Sequence, residues 1–217
     1  MKKTLIAAAL VLFTGSALAE QNAVLQVQGK LTAASCTPEL SNGGEVDYGY
    51  IHLGSLSASE VNQIGEKDID LKITCTAATK LAWTANDNRA ETNAKVQVAD
   101  YEAGGVDYYQ FGVGKTEGGV NIGDYLMLTI NSPIVDGVAA VIIARNSPTE
   151  NWRGTAGLRS DGLTSMTVAA PGTVEPLAFT SAIIPITTKL AIQSTDILAI
   201  TDDTQISGQA TITLQYL

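Results

Sequence analysis

Apolar and polar residues alternate in short segments along this chain, most clearly at its two ends. Near the N-terminus Ala23, Leu25, Val27, Gly29 and Leu31 occupy every second position, with Asn22, Gln26, Gln28, Lys30 and Thr32 between them and Val24 out of phase. At the C-terminus Ala210, Ile212, Leu214 and Tyr216 alternate with Gln209, Thr211, Thr213 and Gln215. A period of two sends successive side chains to opposite faces, so each end predicts a strand with one buried face. Between them, segments rich in Val, Ile, Thr and Tyr fall at 46–53, 69–76, 79–85, 94–99, 107–113, 122–131, 138–145, 164–169, 177–184, 187–193 and 196–200. Turn formers such as Asn42-Gly43-Gly44, Asp136-Gly137 and Asp161-Gly162 separate several of them. No capped run has a sustained helical period, and residues 57–63 predict a single turn at most. The pattern predicts an all-β antiparallel sandwich or barrel. With no Pro/Ser-rich linker and no internal repeat, one domain is expected, and the Gly-rich stretch 100–175 predicts long loops or an inserted hairpin.

The first nineteen residues depart from this pattern. Lys2 and Lys3 precede an apolar stretch at 5–13, and small residues lead to Ala17-Leu18-Ala19. A basic start, a short apolar middle and an Ala-x-Ala end describe a secretory signal with cleavage after Ala19. The apolar stretch is far short of the ~20 residues that span a bilayer, and no Cys follows the cleavage point to carry a lipid. Residues 1–19 are thus expected to be a signal peptide, 20–30 an N-terminal extension and 31–217 the folded domain. The chain has 217 residues, a formal net charge of −9 and 45% hydrophobic residues. Losing Lys2 and Lys3 makes it more acidic still, which disfavours nucleic acid as a partner. The apolar share is too high for a disordered chain.

Export changes how the cysteines read. Cys36 and Cys75 are the only two, and an oxidising compartment favours pairing them as a structural disulfide. Neither sits in a C-x-x-C arrangement or beside a histidine, so redox catalysis is not predicted. His52, the only histidine, lies in Tyr50-Ile51-His52-Leu53-Gly54 with no Gly-x-Ser-x-Gly elbow, and reads as a structural strand residue. No Asp-x-Asp-x-Asp-Gly loop suggests calcium, and Gly112-Val113-Gly114 lacks the later glycine of a phosphate-binding fingerprint. Asp202-Asp203 and Asp87-Asn88-Arg89 read as turns, the second with a local Arg–carboxylate pair. The expectation is a non-enzyme with no catalytic residue, metal or cofactor.

Combined, the arm, the cysteines and the last strand are more specific. Gly29 precedes Cys36 by seven residues, in Val24-Leu25-Gln26-Val27-Gln28-Gly29-Lys30-Leu31-Thr32-Ala33-Ala34-Ser35-Cys36, and Tyr216 is penultimate. This resembles the chaperone–usher fimbrial subunits, the pilins: an alternating apolar arm, a glycine in register, a cysteine after small residues, and a C-terminal strand with a penultimate aromatic. Cys36-Thr37-Pro38-Glu39-Leu40-Ser41-Asn42-Gly43-Gly44-Glu45-Val46-Asp47-Tyr48-Gly49 and Asn86-Asp87-Asn88-Arg89 resemble, more narrowly, a group of secreted beta-fimbria-type proteins of Gram-negative bacteria.

The resemblance implies an immunoglobulin-like (pilin-type) sandwich that lacks its last strand and leaves an apolar groove open. A periplasmic chaperone lends a strand first. At the outer-membrane usher the arm of a neighbouring pilus subunit then replaces it, which is β-strand addition. Carried onto this sequence, Ala23, Leu25, Val27, Gly29 and Leu31 are the donor-strand positions, while Ile212, Leu214 and Tyr216 lie on the strand that borders the groove and meets the chaperone. The implied location is a fimbrium at the cell surface, reached through the periplasm. Gly208 sits closer to the C-terminus than the corresponding pilin glycine, and the 100–175 region is longer than in a typical major pilin. If the sheet is complete within one chain, the arm closes it and the protein is a secreted or periplasmic monomer. Trp83, Trp152, Tyr48, Tyr50, Tyr108 and Tyr109 then supply candidates for binding a glycan or host surface.

Overall fold

The organising element is one 26-residue strand where the pattern predicts two. The computed structural model describes Gln26, Gln28, residues 33–99 and residues 106–217. Its strands, in chain order, are β1 (Cys36–Leu40), β2 (Asn62–Asp87), β3 (Phe111–Gly112), β4 (Gly123–Leu128), β5 (Ile134–Val135), β6 (Val138–Ala139), β7 (Val141–Arg145), β8 (Arg153–Gly154), β9 (Ser165–Ala169), β10 (Ala178–Ile192) and β11 (Ala210–Tyr216). All pairings between them are antiparallel. The predicted break at 77–78 contains no turn former, so the chain bends there and continues. The register of β10 against β2 shifts between Phe179 and Ser181, at the same place.

That bend lets β2 serve two sheets. Its first half pairs with β10 on one edge and β1 on the other. β10 in turn carries β4 and β5, with β3 and β6 outside them. The second half of β2 pairs with β9 on one edge and β11 on the other, and β7 and β8 follow β9. Within the region 100–175, residues 106–175 supply β3 to β9, including three of the five strands of the second sheet and the β5–β6 hairpin. Residues 34–217 form one compact unit.

The main core lies between the inner faces of the two sheets and includes Ile69, Leu71, Ile73, Trp83, Phe179 and Ile184. Along 69–75 only alternate residues of β2 are buried, whereas 81–85 is buried without interruption. β10 changes in the same way, from alternating burial at 182–184 to almost continuous burial at 186–192. Two further apolar clusters explain this second change. Val96, Val98, Leu126, Leu128 and Ala191 form one; Val113, Ile122, Leu190, Ile192 and Leu198 form the other.

Several predicted strands are not strands. Residues 46–53 carry no ladder, although Val46, Tyr48 and Ile51 still pack against the apolar clusters. Residues 94–99 bury Val96 and Val98 in strand-like alternation, but the Val96 N–H bonds the Asp124 carboxylate at 3.0 Å instead of a neighbouring strand. Residues 107–109 are a 3-10 turn and 195–198 a single α-helical turn. No helical turn forms at 57–63; the Asn62 side chain instead accepts from the Ser57 N–H at 2.7 Å and donates to the Gln193 carbonyl at 3.2 Å. Segments 177–184 and 187–193 merge because Pro185 is tolerated inside β10. It falls between the end of β5 pairing at Ile183 and the start of β4 pairing at Thr187, where that edge has no ladder to interrupt. The Asp136-Gly137 signal does mark a hairpin, with φ of 47° and 83° giving the two left-handed residues of a type I′ turn.

Candidate functional site

β1 is short and held in place chemically. Cys36 stands directly opposite Cys75 in the register, and the two are joined as a disulfide. The Thr76 N–H donates to the Ser35 carbonyl at 2.9 Å, and main-chain groups alternate in direction along a strand. Ser35, Thr37 and Glu39 therefore turn their main chain toward β2, while Cys36, Pro38 and Leu40 turn theirs away.

The same argument orients β11. The Leu217 N–H donates to the Lys80 carbonyl at 3.1 Å, and the Asn88 N–H to the Gln209 carbonyl at 2.9 Å. Odd-numbered residues of β11 thus turn their main chain toward β2, and Ala210, Ile212, Leu214 and Tyr216 turn theirs away from it. Even-numbered residues of β2 serve both β1 and β11, whereas the odd-numbered Asp87 donates its N–H to Ser160 on the other side. β1 and β11 consequently share one edge of β2, one strand in each sheet. Among the described residues neither pairs with any further strand.

A seam runs between these two strands. An open depression of about 380 Å³ lies along it, lined by Pro38, Glu39, Leu40, Gly43, Gly44, Leu71 and Ile212. Ile212 and Leu214 are half-buried against the main core, and Thr211, Thr213 and Gln215 are exposed. Tyr216 is 57% exposed, and its hydroxyl accepts the Cys36 N–H at 2.9 Å. At the other end of β1, the turn Ser41–Gly44 places Asn42, Gly43 and Gly44 at positive φ, so the glycines there are conformationally required. β11 thus alternates in burial from Ala210 to Leu214, and Tyr216 is exposed. The expected donor positions Ala23, Leu25, Val27, Gly29 and Leu31 lie outside the described residues, as does the expected signal segment 1–19.

The remaining candidates scatter. Trp83 is fully buried in the core. Trp152 has the Arg145 guanidinium over its ring at 4.5 Å, and Tyr108 has that of Arg159 at 4.1 Å. Tyr48 bonds Thr188 through its hydroxyl, while Tyr50 is 97% exposed. Both line a second open depression of about 360 Å³ with His52, Asn62 and Gln63. His52 is exposed in an irregular segment beside the 3-10 turn Leu53–Ser55, not within a strand.

The Asp87-Asn88-Arg89 turn forms, but Asp87 does not chiefly serve its arginine. Its carboxylate accepts the Arg89 N–H at 2.8 Å and the Gly112 N–H at 2.9 Å. Asp124, fully buried on β4, accepts the Ala94 and Val96 N–H groups at 2.9 and 3.0 Å. Burial pushes the Asp124 carboxyl up to about 6 against the pull of those amides, and raises Asp87 in the same sense. These acids hold the 88–96 segment against β3 and β4. Sequence patterning missed Asp124; an acid flanked by Gly123 and Tyr125 within an apolar run was the available signal. Among the described residues no group of three or more His, Cys, Asp or Glu side chains is placed to hold a metal ion. No helix there is long and apolar enough to cross a membrane.

Comparison with known proteins places the chain among relatives. Residues 25–126 match a family described as "Protein of unknown function (DUF1120)". The protein GltF of Escherichia coli (strain K12) is 28% identical, with 94% of this chain and 92% of GltF covered. A chain in a solved structure of a chaperone–usher pilus aligns over 91% of this chain and 97% of its own, at 14% identity and a TM-score of 0.36. The uncharacterized protein YhcF of the same E. coli strain is 30% identical, with 98% of both chains covered. By that near-complete relationship and the match over 25–126, the chain belongs to the DUF1120 family.

Proposed function

We propose that this protein is a fimbrial-type structural subunit, exported by its N-terminal signal and assembled non-catalytically by strand addition. The observation that carries this reading is the seam between β1 and β11. Two strands on the same edge of β2 leave an apolar-lined depression between them, and both outer edges lack a ladder among the described residues. Such an edge is a template for another strand. The occupant we assign is the alternating arm of residues 20–30 and its continuation to Leu31, contributed by a neighbouring copy or a related subunit. That arm precedes β1 directly in sequence, and its apolar period of two matches a strand with one buried face.

Ala23, Leu25, Val27, Gly29 and Leu31 are then the inserted positions, and Ile212, Leu214 and Tyr216 the receiving strand. Burying Leu25 and Val27 would contribute roughly 3–6 kcal/mol. The open edge needs cover before assembly, which a periplasmic chaperone supplies, and an outer-membrane usher is where the exchange takes place. The glycan-binding alternative has less support, because Trp152 and Tyr108 each already have one ring face occupied by an arginine.

The test compares mature protein purified from periplasm with and without residues 20–31, by oligomer mass. The intact chain should form multimers or leave the periplasm bound to a chaperone, and the truncated chain should not self-associate. Two stable monomers that need no chaperone would sink the proposal.

A further inference from the structure

The two borders of the seam are unequal, and the inequality names the border that takes an incoming strand; this inference rests on the strand-addition reading above. Along β1 the outward main-chain groups belong to Cys36, Pro38 and Leu40. The Cys36 N–H is already bound by the Tyr216 hydroxyl at 2.9 Å. Pro38 has no N–H to offer. Leu40 is then the one position of the strand left to donate to a partner. Along β11 the outward groups belong to Ala210, Ile212, Leu214 and Tyr216, none of them proline, and no strand pairs with them among the described residues. A ladder needs donors at every second residue. β11 meets that need along its whole length and β1 does not.

The Tyr216 bridge also has a definite place. Ser35 bonds Thr76, and Leu217 bonds Lys80, so the start of β1 and the end of β11 meet where β2 crosses from one sheet to the other. The hydroxyl ties the two sheets together at that end of the seam, while the Ser41–Gly44 turn stands at the opposite end of β1.

We propose that Tyr216 is a latch: its hydroxyl, together with the missing donor of Pro38, closes the β1 border, so that the arm of a second copy zips onto β11 alone. On the β1 side the inserted strand is held by side-chain packing against Pro38 and Leu40, not by a main-chain ladder. Tyr216 is a positioning residue for assembly, acting through the Cys36 amide.

The experiment is residue-resolved amide exchange by NMR on the full mature chain. Tyr216→Phe keeps the ring and removes the hydroxyl. It should speed exchange at the Cys36 amide about tenfold while Thr74 and Thr76, bonded within the β1–β2 ladder, stay unchanged. An unaltered Cys36 rate would overturn the latch. A synthetic peptide of residues 20–32, added to the full chain, should slow exchange at Ile212 and Leu214 at least tenfold and leave Leu40 as it was. Equal protection at Leu40 would overturn the one-sided zipper. In the Tyr216→Phe, Pro38→Thr double variant the amides at 38 and 40 should become protected along with those of β11; failure to do so would show that something other than the latch and the proline closes that border. A peptide with no effect on any seam amide, alongside the expected change at Cys36, would remove the strand-addition reading and leave the latch standing.

Discussion

The two edges of β2 are built to different standards. On one, β10 pairs along most of β2, from Asn62 to Lys80, β9 meets it at Trp83, and their buried residues contribute to the main core. On the other, five residues of β1 and seven of β11 cover β2 in two pieces, with half-buried side chains and an open depression between them. The first edge resembles the interior of any sandwich, where long ladders and continuous burial supply stability. The second retains exposed apolar surface and, among the described residues, main chain without a strand partner, features that a monomer normally blunts. On the strand-addition reading proposed above, stability and assembly are separable, each on its own side of a single strand.

The largest effect expected from breaking this contrast is on the closed side. Trp83 is fully buried and stands opposite both Met166 and Leu214. Trp83→Ala should lower unfolding stability by about 3–5 kcal/mol in a denaturant titration, and a loss below 1 kcal/mol would contradict the assigned core.

Next is the tether of the open side. Cys36→Ser with Cys75→Ser, or reduction of the wild type, frees β1 and should cost about 2–4 kcal/mol in the chain-entropy account. Thiol titration of denatured, unreduced protein should find no free thiol; two reactive thiols would refute the pairing.

A smaller effect separates the sides by pH. Asp124, on β4 beyond the closed edge, has its carboxyl raised to about 6 by burial. The native state therefore holds this proton more tightly than the unfolded chain does, and stability from this group grows as pH falls through 6 toward about 4. From pH 7 to 5 the gain should be about 1 kcal/mol. Asp124→Asn should remove that slope without changing the amide exchange of β11. Unchanged pH dependence in the variant would mean that another group carries it.

The smallest stability change should accompany the largest assembly defect. Leu214→Thr keeps a strand-forming residue at a half-buried position whose main chain faces away from β2, and should cost about 1 kcal/mol. Multimer formation by the mature chain should nonetheless fall by tenfold or more. Equal losses in both measurements would show that Leu214 serves only the fold.

Much of this was legible in the residues because β-structure writes its burial into a period of two. The C-terminal alternation became β11, with Ala210, Ile212 and Leu214 half-buried between exposed neighbours and Tyr216 exposed at its end, and Asp136-Gly137 became a hairpin turn. Patterning failed where a long-range partner replaced a local rule. Val96 and Val98 alternate like a strand but take a carboxylate in place of a ladder. Pro185 reads as a break yet sits where a strand edge happens to be vacant. The 69–76 and 79–85 segments read as two strands because the exposed stretch 76–78 looks the same, in sequence, at a turn as at a crossing between sheets.

The sequence by itself determined an all-β chain with one cysteine pair, apolar alternation at both ends and scarce reactive side chains, because composition and periodicity are local properties. Only the tertiary structure decided that β1 and β11 share one edge of β2, that the Tyr216 hydroxyl reaches the Cys36 amide, and that an apolar-lined seam lies between. Those facts depend on register and on which strands become neighbours. Residues 180 positions apart in the chain meet only after the whole sheet has paired.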